Sequence, residues 1–199
     1  GLSQMERFSK PGWKAFARAA YALARPLYDI THRGHQRYDL WRRAAGGLPL
    51  YRGSSSGFPQ TQRHQLAGPA LGAAKNDPAE EFLKTLYARF AGQAADPGDW
   101  INLISYIEFY SKMNEVLLHR VDSISKRHSL EARAPFLDHQ LIELAFSLPG
   151  TMKIPQRRLK GLLKDLARRR LPAQVVDRKK MGFSFPFKEW LRGPLGPAV

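Results

Sequence analysis

The sequence predicts a mainly α protein. Apolar residues recur at three- and four-residue spacing over most of the chain, helix-capping residues stand where those stretches begin, and strand-like alternation is almost absent. The 199 residues suffice for one ordinary domain with a real core, or for a large piece of a bigger one.

The elements follow in order. Trp13, Phe16, Ala17, Ala20 and Leu23 give segment 12–28 a helical stripe, which Pro26 is expected to disturb. Residues 33–43 are basic and aromatic, with Tyr38 and Trp41 among Arg37, Arg42 and Arg43. Gly, Pro and Ser crowd 46–60 into a loop. Asp77-Pro78-Ala79-Glu80 is a helix start: Asp77 caps, Pro78 fits the first helical position, and Glu80 stands where a capping-box acid belongs. Phe82, Leu83, Leu86, Tyr87 and Phe90 then form a buried stripe. A long helix from Asp99 to about Arg120 is apolar on several sides, so it is expected at the centre. Asp138 caps a helix holding Leu141, Ile142, Leu144, Ala145 and Leu148, stopped by Pro149-Gly150. A last helix over about 157–170 puts Leu159, Leu162, Leu163 and Leu166 on one face and ends in Arg168, Arg169 and Arg170, where cations suit the helix dipole. Residues 121–138 and 172–187 read as further loops.

Composition bounds the function. The net charge is +15, which attracts polyanions without choosing among them. With no cysteine, disulfides and thiolate metal sites are excluded. The histidines lack acids at ligand spacing, so no metal site is expected. No apolar run approaches the ~18 residues of a membrane span. Absence of an apolar signal core makes a cytoplasmic location the default expectation. There is no P-loop, no G-x-G-x-x-G and no G-x-S-x-G, so nothing here cradles a triphosphate or presents a serine nucleophile.

Two segments concentrate chemistry. Between two apolar stretches, residues 120–138 crowd Arg120, Asp122, Glu131, Arg133 and Asp138 together. Charges so placed are expected to be paired, because an unpaired buried charge is very costly. The expectation is a structural ion-pair turn with Glu131 and Arg133 buried. Downstream, the basic run Arg178-Lys179-Lys180 meets Met181, Gly182 and Phe183. Gly182 frees the backbone to turn sharply or approach a ligand, and a neighbouring Lys can hold a phosphate oxygen as a point charge. A solvated basic loop is the plainer reading of the same residues.

These segments resemble the asparagine synthase family. Val121-Asp122, Ser129-Leu130-Glu131-Ala132-Arg133 and Pro135-Phe136-Leu137-Asp138-His139 are similar to its "VD…SLE-R-PFLDH" signature. Ser147-Leu148-Pro149 with Lys153, then Leu171-Pro172, Arg178, Lys180, Gly182-Phe183, Pro186 and Trp190-Leu191, resemble its "SLP…K" and "LP…R-K-GF–P…WL" stretches. Tyr51, Gly53, Phe58, Leu66 and Gly68 are similar to a looser family segment. The likeness is dense over about residues 100–193. Lys179 departs from it, standing where the family usually has proline.

The resemblance implies that residues 1–199 are a single partial domain: the helical C-terminal portion of an α/β synthetase domain of ATP-pyrophosphatase (adenine nucleotide α-hydrolase-like) type. The family's "SGG-DS" and "GGDELFGGY" strings do not occur here. With Gly1 in place of an initiator methionine, the chain is expected to be a piece of something longer, with the glutaminase domain and ATP loop elsewhere. The implied activity is ATP-dependent amide formation, in which aspartate or a related carboxylate is activated at the α-phosphate and then takes ammonia from glutamine. ATP and Mg2+ would be held mainly by the missing N-terminal part, the remaining partner of this chain, and the fragment alone would be inactive. The family lysine at the active site maps onto Lys180, whose fixed cation would stabilise charge developing on phosphate. Arg120 and Gly182 fall at substrate-binding positions. The alternative reading, a basic helical nucleic-acid-binding module, rests on the charge and the aromatic interleaving of 37–43.

Overall fold

A computed structural model describes residues 12–31, 34–54, 58, 77–179 and 186–193. Every regular element among them is helical. The chain divides into two compact units, residues 1–152 and 153–199.

In the first unit, α1 (Trp13–Thr31) and α2 (His35–Gly46) form a hairpin. Pro26 lies inside α1, yet the helix continues through it. One hydrogen bond is lost there, and packing compensates: Ala17 and Tyr28 are buried, and the Tyr28 ring stacks on Tyr38 with centroids 3.9 Å apart. Left-handed Gly47 ends α2 in a Schellman arrangement. Its N–H donates to the Ala44 carbonyl and the Leu48 N–H donates to Arg43, satisfying carbonyls that the helix end would strand.

Helix α3 (Pro78–Gln93) starts as its sequence predicts. The Asp77 carboxylate accepts the Ala79 N–H at 3.1 Å, and Pro78 opens the helix. Glu80 is turned to another use, described below. Leu83, Leu86 and Phe90 are buried, whereas Phe82 of the predicted stripe is exposed. Helix α4 (Trp100–Glu108) is followed without a break by a π-helical segment, Phe109–Leu118, and by α5, His119–Lys126. The predicted helix therefore exists but runs past Arg120 into the expected loop. It is also central: Tyr106 joins Leu86 and Phe90 in the core, flanked by Leu103, Tyr110 and Phe146.

Asp99 fastens the start of α4 to a distant turn. One carboxylate oxygen accepts the Ile101 and Asn102 N–H groups as a cap, and the other accepts the Gly150 N–H at 2.6 Å. Asn102 donates its side-chain amide to the Leu148 carbonyl. Only glycine fits at 150, since a Cβ there would stand 2.3 Å from Asp99 and 2.4 Å from Ile101. Helix α6 (His139–Ser147) leads into this turn, and a single helical turn, α7 (Gly150–Lys153), follows it.

In the second unit a 3₁₀ turn (Pro155–Arg157) precedes α8 (Gly161–Ala167), α9 (Ala173–Val176) and α10 (Phe187–Arg192). The predicted 157–170 helix is thus shorter, beginning where Gly161 packs against the Pro155 ring. Its leucines fall at the predicted spacing, but Leu159, Leu162, Leu163 and Leu166 are exposed.

Candidate functional site

The signature residues build a groove. Helix α5 ends in a turn in which the Ser129 and His128 N–H groups return to Lys126 and Ser125, with Ser129 at a φ of 55°. The chain then leaves in extended form, and residues 132–134 face the helix they have just left. Between them lies a hollow of about 580 Å³ lined by Asn114, Glu115, Leu118, His119, Val121 and Asp122 on one wall and Ala132, Arg133 and Ala134 on the other. Asp122 and Arg133, separate in the sequence, therefore line one groove.

The ion pairs of this turn are local. Arg133 contacts Glu131 at 2.9 Å, and Lys126 contacts Asp122 at 2.8 Å. That contact holds the Lys126 ammonium above its ordinary pKa. Asp138 caps α6, accepting the Gln140 and Leu141 N–H groups. The expected pairing of Glu131 with Arg133 is present, but the expected burial is not. The Arg133 and Glu131 side chains are 83% and 69% exposed. The physical reason is that 131–134 runs along the outside of the helix, so both charges keep their water and desolvation exacts nothing from them. Arg120 is exposed and is not among the groove-lining residues.

Lys180 and Gly182 lie outside the described residues. On the N-terminal side of that loop, the second unit has a chain of exposed ion pairs. Arg158 grips Asp165 through two bonds of 3.0 and 2.9 Å, and Arg168 joins Asp165 to Asp177. The bidentate Arg158 contact, with Arg168 beside it, holds the Asp165 carboxyl below its usual range. Arg168 thus does more than complement a helix end: it ties Asp177, three residues before Lys180, back to α8.

Two further clusters were not legible in the sequence. Arg43 is only 1% exposed. It donates through Nε to the Pro49 carbonyl at 2.6 Å and through Nη1 to Glu80 at 3.4 Å. Burial, reinforced by Arg52, lowers its pKa, although a guanidinium stays charged throughout. Asp39 completes the group by pairing with Arg42 and Arg52 at 3.2 and 3.3 Å. Glu80 therefore neutralises a buried arginine rather than closing a capping box.

Next to it, Glu108 accepts hydrogen bonds from the Tyr51 hydroxyl and from the N–H and hydroxyl of Ser54, and Lys112 donates to the Ser54 hydroxyl at 3.0 Å. Burial raises the Glu108 pKa, but the Tyr51 and Ser54 bonds with Lys112 outweigh it and hold the carboxyl below its ordinary value. Burial and the Glu108 contact push the Tyr51 phenol upward. Gly53 sits between at a φ of 83°, and a Cβ there would crowd the Ser111 hydroxyl at 3.3 Å. The only sequence trace of this clamp was Tyr51 and Gly53 in the looser family segment.

No group of three or more acidic or histidine side chains among the described residues could hold a metal ion. No described helix is long and apolar enough to cross a membrane.

The comparisons give this helical chain a family. The sequence model described as Asparagine synthase matches residues 12–199. Asparagine synthetase [glutamine-hydrolyzing] 1 of Bacillus subtilis is 33% identical over 99 residues, covering 50% of this chain and 16% of that protein. A putative asparagine synthetase [glutamine-hydrolyzing] of Mycobacterium bovis is 34% identical over 107 residues, covering 54% and 16%. Amidase chry2 of Gibberella zeae is 30% identical over 86 residues, covering 40% and 13%. No solved structure matches significantly. The chain belongs to the asparagine synthase family. It spans about a sixth of the length of the two synthetases it resembles.

Proposed function

We propose that this chain is the C-terminal helical portion of an ATP-dependent amide-forming ligase, acting in the cytoplasm on aspartate or a related carboxylate with nitrogen from glutamine. The match of the family across residues 12–199 carries this reading. It gives the nucleic-acid alternative no support. In this reading the helices complete an α/β ATP-pyrophosphatase-type domain whose sheet lies outside these residues.

The family resemblance assigns nucleotide and metal to other parts of the synthetase. What this chain contributes is charge at fixed places. Lys180 supplies the catalytic cation, Gly182 allows the close backbone approach, and Arg120 stands near the acceptor. Asp122 and Arg133 shape the groove wall. Because their charges are solvated rather than buried, they are available to a polar ligand at little desolvation cost.

The test separates adjacent lysines. In the complete enzyme, Lys180→Ala is expected to lower pyrophosphate release by about 10²–10³ while glutamine hydrolysis survives. Lys179→Ala, at the position where the family usually carries proline, is expected to be nearly silent. Equal, mild effects of the two substitutions would return this loop to a solvated basic surface.

A further inference from the structure

Part of the groove wall is π-helical, since Asn114, Glu115 and Leu118 line the hollow from within the segment Phe109–Leu118. A π turn closes from residue i to i+5, one residue more than an α turn, and it is rare, occurring mostly as a single turn at functional sites. Ten successive residues in this form call for support from outside the helix.

Loop residues 51–54 give that support where α4 turns into the π segment. Glu108, the last residue of α4, accepts the Tyr51 hydroxyl and the Ser54 N–H on one carboxylate oxygen and the Ser54 hydroxyl on the other. Lys112, inside the π segment, donates to the same Ser54 hydroxyl at 3.0 Å. Gly53 lies so near Ser111 that a Cβ would stand 3.3 Å from its hydroxyl. The loop therefore grips residues 108, 111 and 112, on both sides of the change. The Ser111 hydroxyl in turn donates to the Ile107 carbonyl at 2.6 Å, competing there with the backbone N–H that an α turn would bring to it.

The loop is itself anchored to two other helices. The Tyr51 N–H donates to the Tyr87 hydroxyl of α3 at 2.9 Å, and that hydroxyl donates to the Tyr51 carbonyl at 3.2 Å. Arg43 of α2 holds the Pro49 carbonyl. Register matters downstream of the grip. A shift of one residue turns every side chain beyond it by about 100° around the helix axis. Asn114 and Glu115, two and three residues beyond Lys112, would then leave the hollow.

We propose that Glu108 is a positioning residue for the ligase: through Tyr51 and Ser54 it fixes where α4 becomes π-helical, and so aims the groove wall at the carboxylate substrate. The inference rests on the ligase reading and adds to it a residue that does not line the groove.

The test uses the complete enzyme with Glu108→Ala and Glu108→Gln. The Gln side chain keeps an oxygen for Tyr51 and the Ser54 N–H and loses only the charge. Glu108→Ala is expected to raise KM for the carboxylate substrate in pyrophosphate release by about tenfold, with KM for ATP and glutamine hydrolysis unchanged. Glu108→Gln is expected to restore KM to within about threefold of the unsubstituted enzyme. Simple loss of folded protein would lower every rate in proportion and split no KM. The second readout needs no activity: in Glu108→Ala, amide exchange over residues 109–118 is expected to quicken by about tenfold, while α3 keeps its protection. Unchanged exchange overturns the proposal, and so does faster exchange without the KM split, which would make the clamp structural only. Absence of pyrophosphate release from the unsubstituted enzyme would instead count against the ligase reading.

Discussion

The arginines of the first unit live in two different worlds. Arg43 is enclosed between α2 and α3 and bonded on two sides. Arg133 stands in water at the edge of a groove, bonded to a neighbour two residues away. Both are ion-paired, yet the pairings mean different things. A buried guanidinium has lost its hydration, so its partners are what make the fold tolerable. An exposed pair contributes at most about 1 kcal/mol and can exchange its partner for a ligand. The family signature lies mainly with the second kind of charge, and the Arg43 cluster that holds the Pro49 carbonyl with the first.

The comparison breaks most easily at Arg43. Arg43→Ala removes the donor to Pro49 and leaves the buried Glu80 with Arg42, at 3.8 Å, as its remaining ion pair among the described residues. A loss of about 3–5 kcal/mol is expected in denaturant unfolding of the intact protein. A change under about 1 kcal/mol would mean that the buried cluster is not what holds α2, α3 and the loop together.

Gly150 gives a smaller effect from packing alone. Gly150→Ala forces a Cβ into Asp99 and Ile101, and the expected cost is about 1–3 kcal/mol. Because Asp99 both caps α4 and holds this turn, amide exchange at Ile101 and Asn102 is expected to rise in the same variant. Unchanged protection there would show that the turn and the α4 cap are not coupled.

What the sequence made legible was local. Asp77-Pro78 and Asp138 are read correctly because a cap depends on the two or three residues that follow it. The central helix is read from its all-round apolarity, but not its π segment, since residue spacing does not encode a change of hydrogen-bond register. Pro26 is overestimated as a breaker because the α1–α2 packing that compensates comes from residues beyond the helix itself. Glu80 is misread as a capping-box acid because its partner, Arg43, is 37 residues away. Glu108, Lys112 and Ser54 meet across more than fifty residues with no spacing to announce them. The expected burial of Glu131 and Arg133 fails for a related reason: apolar stretches on both sides of a segment do not fix which side of the helix it returns along. As for the candidate site, the likeness of 121–139 to the family was legible, but the groove that unites Asp122 and Arg133 was not. Lys180 and Gly182, the other half of the sequence reading, lie outside the described residues.

The most direct test of the contrast is one pair of measurements on Arg133→Ala in the complete enzyme: its melting temperature and its rate of pyrophosphate release. A solvated pair at a functional groove predicts a stability change of no more than about 1 kcal/mol together with a clear loss of synthesis per folded molecule. A large drop in melting temperature with undiminished turnover of the folded fraction would contradict the account. It would make this turn a structural element of the same kind as the Arg43 cluster.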